Sequence, residues 1–273
     1  MIIRLPDNVW ATVKAYNNLQ LGGKNVPTPY FINSDDERGG LRVLVGKGSP
    51  EEIEHEVKVW AQLKGFDLNK ASIAEIREFM IQHKIGVDCS GYLVHVLNRW
   101  MKQNMHKRLI ECLKFKSNSP LTWVKRRLRS AENIGANTLT NEDNTKRIEI
   151  NDVRPGDLIR LKGLRKNAHH IAMVSEVDGD FVGEDKKFIV KSFKYIHSHR
   201  NYEDKHGVRS GEVVITNPGG ELKDQDWREE QNGKNWVYEG LLKEYNDNGL
   251  RRLNCLAPEV ERNFNDKVMK ATL

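Results

Sequence analysis

The chain has 273 residues, 38% of them hydrophobic and 30% charged, which is enough apolar content to bury a core and excludes a disordered chain. Its 44 Lys and Arg stand against 38 Asp and Glu, a net charge of +6 that suits an anionic substrate and does not call for nucleic acid. Three cysteines, Cys89, Cys112 and Cys255, are odd in number, far apart and without a CxxC pair, so free thiols are expected and neither a disulfide framework nor a structural zinc site.

The opening "MIIRLPDNVWATVKAY" has no continuous apolar core, and no run of 18 apolar residues occurs anywhere. Neither a secretory signal nor a membrane span is expected, and the protein is expected to be soluble and to start life in the cytoplasm. Asn8 to Leu21 is predicted as a first helix, ended by Gly22-Gly23. "NVPTPYFINSDDERGG" has the proline, glycine and asparagine content of a loop. From Ser49, "SPEEIEHEVKVWAQL" opens with an N-cap serine, Pro50 in the first turn and early glutamates. A further helix begins near Lys70 and buries Ile73, Ile76, Phe79 and Met80.

The next helix starts in "GVDCSGYLVHVL", Gly86 to Leu97. Its Tyr92, Leu93, Val96, Leu97, Trp100 and Met101 trace one apolar face. Ser117 to Asn151 is polar and loop-like around a short "LTWVKRRLR", after which "VRPGDLIRL" predicts a turn and a strand. Strands follow at "HHIAMVSEV", "KKFIVKSFKYIH" and "GEVVITN", the first two joined as a hairpin. Beyond Pro218-Gly219-Gly220 the composition turns polar, with a periodic "VYEGLLKEY" and a short "LRRLNCL", and this tail is expected to be an extension packed on the core. Helices first and antiparallel strands later predict an α+β fold.

Asp88 and Ser90 are natural N-terminal residues for a helix and place Cys89 in its first turn. There the free backbone N–H groups and the helix dipole favour thiolate over thiol. Gly91 removes a side chain where a substrate backbone would approach. The same cysteine, three and four residues before Tyr92 and Leu93, would also suit an apolar stripe. A cysteine nucleophile needs an imidazole to take its proton and a third polar group to orient that imidazole. "AHHIAMVSEVDGD" supplies His169 and His170 at the start of a strand.

Taken together, "DCSG" at Asp88 to Gly91, "PGDL" at Pro155 to Leu158 and "HIAMV" at His170 to Val174 resemble the NlpC-type cell-wall cysteine peptidases, over roughly the middle half of the chain. The resemblance implies a papain-like α+β domain spanning 1–273, in which N-terminal helices pack on an antiparallel sheet. Relative to that family, residues about 41–84 form a helical insertion before the cysteine and about 219–273 a C-terminal extension. It implies Cys89 as nucleophile and His170 as general base and acid, ahead of His169 because the family's histidine stands directly before the apolar run. The Cys89 backbone N–H would form part of the oxyanion hole, and Tyr30 in "TPYFIN" takes the place of the family's tyrosine near the reacting carbonyl.

The chain departs from the family in its third catalytic group, whose usual position falls in the hairpin "DGDFVGEDKK". If that hairpin is longer and turns near Glu184-Asp185, the strand facing His170 ends around "YIHSHR". His197 is then the preferred partner, with His199 and Ser192 open. The helical insertion would either narrow the substrate groove or only stabilise the fold. His197, His199 and His206 lack the spacing of a known metal set, so no metal or other cofactor is expected. The basic run Lys125 to Arg129 is a weak hint of an anionic partner. The resemblance implies hydrolysis of an amide or isopeptide bond in a peptidoglycan stem peptide or its fragments through a thioester. The expected protein is a monomer that acts in the cytoplasm or is released by a non-classical route. A related reading passes the acyl group to another acceptor, and a rival from another class is a catalytically silent binding or scaffold domain.

Overall fold

The computed structural model describes residues 1–33, 42–115, 131–162, 169–183, 187–229, 235–243 and 247–272; the basic run Lys125 to Arg129 lies outside them. The chain opens with β1 (Ile2–Arg4), α1 (Asp7–Asn17), β2 (Leu19–Leu21) and β3 (Lys24–Val26), then α2 (Pro50–Lys64), α3 (Ile73–Gln82) and α4 (Cys89–Met105). Two short helices, Leu109–Cys112 and Ala136–Thr140, lead to β4 (Thr145–Arg147), β5 (Leu158–Lys162), β6 (His169–Val182), β7 (Lys187–His199), β8 (Gly207–Val214) and β9 (Asp226–Arg228). The helix Trp236–Lys243, β10 (Gly249–Leu253) and the helix Ala257–Thr272 complete it. This is an α+β arrangement in which the strand order β4-β10-β5-β6-β7-β8-β9, with β1 also on β6, makes one eight-stranded sheet. Its pairings are antiparallel.

The helix starts follow from local chemistry. Ser49 and Ser72 each accept the backbone N–H three residues on while Glu52 and Glu75 reach back, so α2 and α3 begin with capping boxes. Pro50 sits at the first helical position and Gly65, at φ 66°, closes α2.

The first helix is shorter than its sequence predicts. It stops at Asn17, and Leu19 and Leu21 are buried either side of exposed Gln20 in a short strand. Gly22 and Gly23, at φ 56° and 73°, are the two central residues of a tight hairpin to β3 and not a helix end. Apolar spacing at Leu19 and Leu21 fits both periods, and the two-glycine turn decides between them.

Strand alternation divides the interior in two. Ile171, Met173 and Ile196 face a core that contains α1, α2, α3 and α4, whereas Ala172, Val174 and Tyr195 join Ile159, Val213 and the C-terminal Phe264 on the other face. Ile53, Val57, Ile76 and Met80 are fully buried in the first core, so the helical insertion is integral to the packing beneath α4. The C-terminal segment is likewise more than a cover. Its β10 lies between β4 and β5, pairing Leu250 with Ile159 and Arg252 with Lys146.

Among the described residues no helix is long and apolar enough to cross a membrane.

Candidate active site

The site starts at the N-terminus of α4. Asp88 caps it by accepting the Gly91 N–H at 2.6 Å, and Tyr92, Leu93, Val96, Leu97, Trp100 and Met101 are fully buried behind it. That face fixes the helix start, and with it Cys89, against the sheet. Gly91 has a structural reason of its own. A Cβ there would stand 2.5 Å from the Gly46 carbonyl oxygen and 3.0 Å from Lys47 Cδ. The glycine admits the segment Gly46 to Gly48 against the helix, which replaces the expected approach of a substrate backbone.

Through that approach Lys47 is buried beside the cap. Its Nζ donates to Asp88 Oδ1 at 2.9 Å and to Ser90 Oγ at 2.5 Å, while Asp88 N–H donates to the Gly46 carbonyl at 2.9 Å. Asp88 and Ser90 thus belong to a buried charged network under the cysteine. Lys47 went unnoticed in the sequence because a lone lysine in a glycine-containing loop carries no pattern.

Cys89 itself is only 7% exposed, and the backbone N–H groups of Ile171 and Ser90 approach its sulfur. The Ile171 contact has a clear origin. Val174 bonds to Asp157 on the β5 side, so by alternation Ile171 directs its N–H toward β7. The β6–β7 ladder starts only at Met173 opposite Ile196, and the sulfur lies at the opening where the two strands part. Ser198 Oγ, near the end of β7, donates to the Val87 carbonyl at 2.7 Å and ties that opening to the residue before the helix cap.

The expected thiolate is not favoured here. Burial pushes the Cys89 thiol up to about 12, and the Asp88 carboxylate raises it further, against the opposing pull of Lys47 and the two backbone N–H groups. The helix dipole is answered by its own capping carboxylate.

On the other face of the sheet stands a chain of polar groups. His170 Nε2 and His197 Nδ1 are 2.9 Å apart. His197 Nε2 lies 2.9 and 3.0 Å from the two carboxylate oxygens of Glu229. Tyr195 Oη donates to Glu229 Oε2 at 2.7 Å, and Asn235 Nδ2 donates to that Tyr195 oxygen at 3.3 Å. Arg209 donates to Glu229 Oε1 and lies over the Tyr202 ring.

These contacts order the protons. Glu229 is ionised, because His197 and Arg209 outweigh its burial and hold it down to about 2; it therefore accepts from His197 Nε2–H. His170 Nε2 and His197 Nδ1 share one proton across their 2.9 Å contact. Burial, with His199 and His197 beside it, drives the His170 pKa well below the ordinary histidine value. The ring is a neutral base at neutral pH.

The candidate residues assemble unequally. His170 and His197 are joined directly, as the longer hairpin predicts; Glu184 and Asp185, the expected turn, lie outside the described residues. His199 packs edge-on to His170, with ring centroids 4.5 Å apart, and accepts the Asn201 N–H at Nδ1. Ser192 stands opposite Asp178 and donates to Glu212, which removes it from the set. Alternation turns His169 to the side opposite His170. His206 is engaged elsewhere, accepting the Tyr30 N–H at 3.1 Å. The Tyr30 phenol is pushed up by burial first and then by the negative charge that Cys89 and Asp88 would carry, which puts it in the electrostatic neighbourhood of the thiol.

Among the described residues no hydrogen bond joins Cys89 to His170. The sulfur reaches the sheet beside Ile171, the residue after His170, while the imidazole leans toward His197. Glu229 is the member that sequence reasoning missed. It comes from "DWREEQ", 59 residues beyond His170, and a glutamate in a polar stretch gives no signal. Among the described residues no three histidine, cysteine or carboxylate side chains have the arrangement of a metal site. No family model, curated protein or solved structure matches the chain.

Proposed function

We propose that the protein is a papain-like cysteine hydrolase that cleaves an amide or isopeptide bond through a thioester, with Cys89 as nucleophile, His170 as general base and acid, and His197 as the third catalytic group. The observation that carries this reading is the Glu229–His197–His170 chain. At its end stands His170, neutral through burial and so with one ring nitrogen unprotonated, next to Ile171, whose backbone N–H approaches the Cys89 sulfur.

Starting from a neutral thiol and a neutral imidazole, the step requires the His170 ring to reach the sulfur through the opening where β6 and β7 part; Nδ1 then takes the thiol proton as sulfur bonds to the carbonyl carbon. The resulting imidazolium donates through Nε2 to His197, with Glu229 behind it supplying the compensating charge. The carbonyl oxygen becomes an oxyanion beside the Cys89 backbone N–H and the Tyr30 phenol. When the C–N bond breaks, His170 returns the proton to the leaving amine, and water then cleaves the thioester with the same histidine as base. The choice of a peptidoglycan stem peptide or its fragments as substrate rests on the "DCSG", "PGDL" and "HIAMV" resemblance.

A second reading has its own observation. The buried, protonated thiol without a hydrogen bond to His170 suits a silent binding domain that keeps the fold. Mass spectrometry of muropeptides incubated with wild type and Cys89→Ala separates the two. Cleavage products that require Cys89 are expected from the enzyme, and transfer to an added amine in place of hydrolysis would identify an acyltransferase. Unchanged muropeptides with retained binding would overturn the hydrolase.

A further inference from the structure

The other two cysteines are not isolated. Cys112 ends the short helix after α4, and Cys255 lies in the turn between β10 and the C-terminal helix, yet both pack against the same core and the Cys112 sulfur acts directly on the Cys255 thiol. The backbone explains how residues so distant in sequence meet. Buried Asn144 accepts the Lys114 N–H at 2.7 Å and donates to the Lys114 carbonyl at 2.9 Å, while its own carbonyl accepts the Asn254 N–H at 2.9 Å. One asparagine therefore clamps the two segments that carry the thiols. Leu113 and Leu256, the residues next to them, are both buried in the α4 core, which fixes the pair from within. Both residues are half-buried, not sealed in the core.

We propose that Cys112 and Cys255 form an oxidant-sensitive dithiol that closes to an intramolecular disulfide on reaction with a hydroperoxide. The site is separate from Cys89. Two buried hydrophobes would satisfy the packing equally well, but nothing in packing requires two sulfurs in contact. Burial and the neighbouring Cys112 sulfur push the Cys255 thiol up to about 12, and the proposal therefore gives Cys255 the second, resolving step. The Cys112 thiolate attacks the peroxide, an S–O bond forms, the O–O bond breaks, and the leaving oxygen departs as water or alcohol after taking a proton. Cys255 then attacks the sulfenic sulfur; the S–S bond forms, the S–O bond breaks, and hydroxide leaves as water with the Cys255 proton. Two thiols are oxidised and one peroxide is reduced.

The test treats the full-length protein with hydrogen peroxide under native conditions, blocks residual thiols with N-ethylmaleimide and maps peptides without reduction. The expected result is a Cys112–Cys255 cross-linked peptide, with loss of two hydrogens, in most of the chains and reversed by dithiothreitol. In Cys112→Ser the link is absent and Cys255 becomes available to the maleimide. The wild-type map is decisive even if that variant folds poorly. Separate blocking of Cys112 and Cys255 after peroxide, or links made only to Cys89, would overturn the proposal.

Discussion

Cys89 and His170 are both held neutral by the same cause, removal from water. Burial lifts the thiol to about 12 and sinks the imidazole well below its ordinary value, so the resting pair is thiol and imidazole and not thiolate and imidazolium. The sign for alkylation follows directly, since only thiolate reacts and its fraction climbs with pH until the thiol pKa is passed. Iodoacetamide labelling of Cys89, followed peptide by peptide, is therefore expected to accelerate about tenfold per pH unit from pH 7 to 10 without levelling. A plateau reached below pH 8 would show an ion pair instead. The residues of this site differ in how visible they are in the sequence. Cys89 is marked by a helix start and an apolar stripe, and His170 by the strand that follows it. His197 is found by counting strand register. Lys47 and Glu229 have no such frame, because each reaches the site by tertiary approach, Lys47 through the close contact Gly91 permits and Glu229 through the pairing of β9 with β8.

At the scale of elements, the "PGDL" turn illustrates how a motif can carry structure and point to function together. Gly156 adopts φ 105°, and a Cβ there would lie 2.6 Å from the Trp100 ring, so α4 packs directly on the turn before β5. Asp157 is fully buried and accepts two hydrogen bonds from Arg252 of β10, at 2.7 and 2.8 Å. The turn is thus pinned to α4 on one side and to the C-terminal strand on the other. Replacing one member of a buried ion pair strands the other, which costs far more than the net worth of the pair. Arg252→Met is expected to lower unfolding free energy by about 3–5 kcal/mol, read from urea denaturation, whereas a loss below about 1 kcal/mol would show that water reaches Asp157. Helices with capping boxes are legible in sequence because every signal is local. The fate of Leu19 to Val26 is decided by two glycines, and the partner of Asp157 stands 95 residues away, beyond any local rule.

For the whole molecule, the decisive fact is that the last fifth of the chain closes the structure from both sides of the sheet. β10 fills the place between β4 and β5, Arg252 neutralises Asp157, and Glu229 answers His197 and Arg209. Polar composition after Pro218 suggested a covering extension, because five-residue β10 carries two arginines that look exposed and are in fact buried. A chain ending at Pro218 would leave the β4 and β5 edges unpaired, Asp157 without its cation and His197 without its anion. Each loss alone is comparable to a large fraction of a domain's stability. The truncated chain is therefore expected to lose its cooperative thermal transition and near-ultraviolet circular dichroism while keeping helical signal from α1 to α4, whose packing partners lie mostly before residue 218. A cooperative melt within a few degrees of the full chain would mean that β10 is dispensable. Adding the Arg252→Met and Glu229→Gln single variants to the same melts separates the causes, because each removes one charge partner while leaving β10 in its place, so a collapse confined to the truncation belongs to the missing strand.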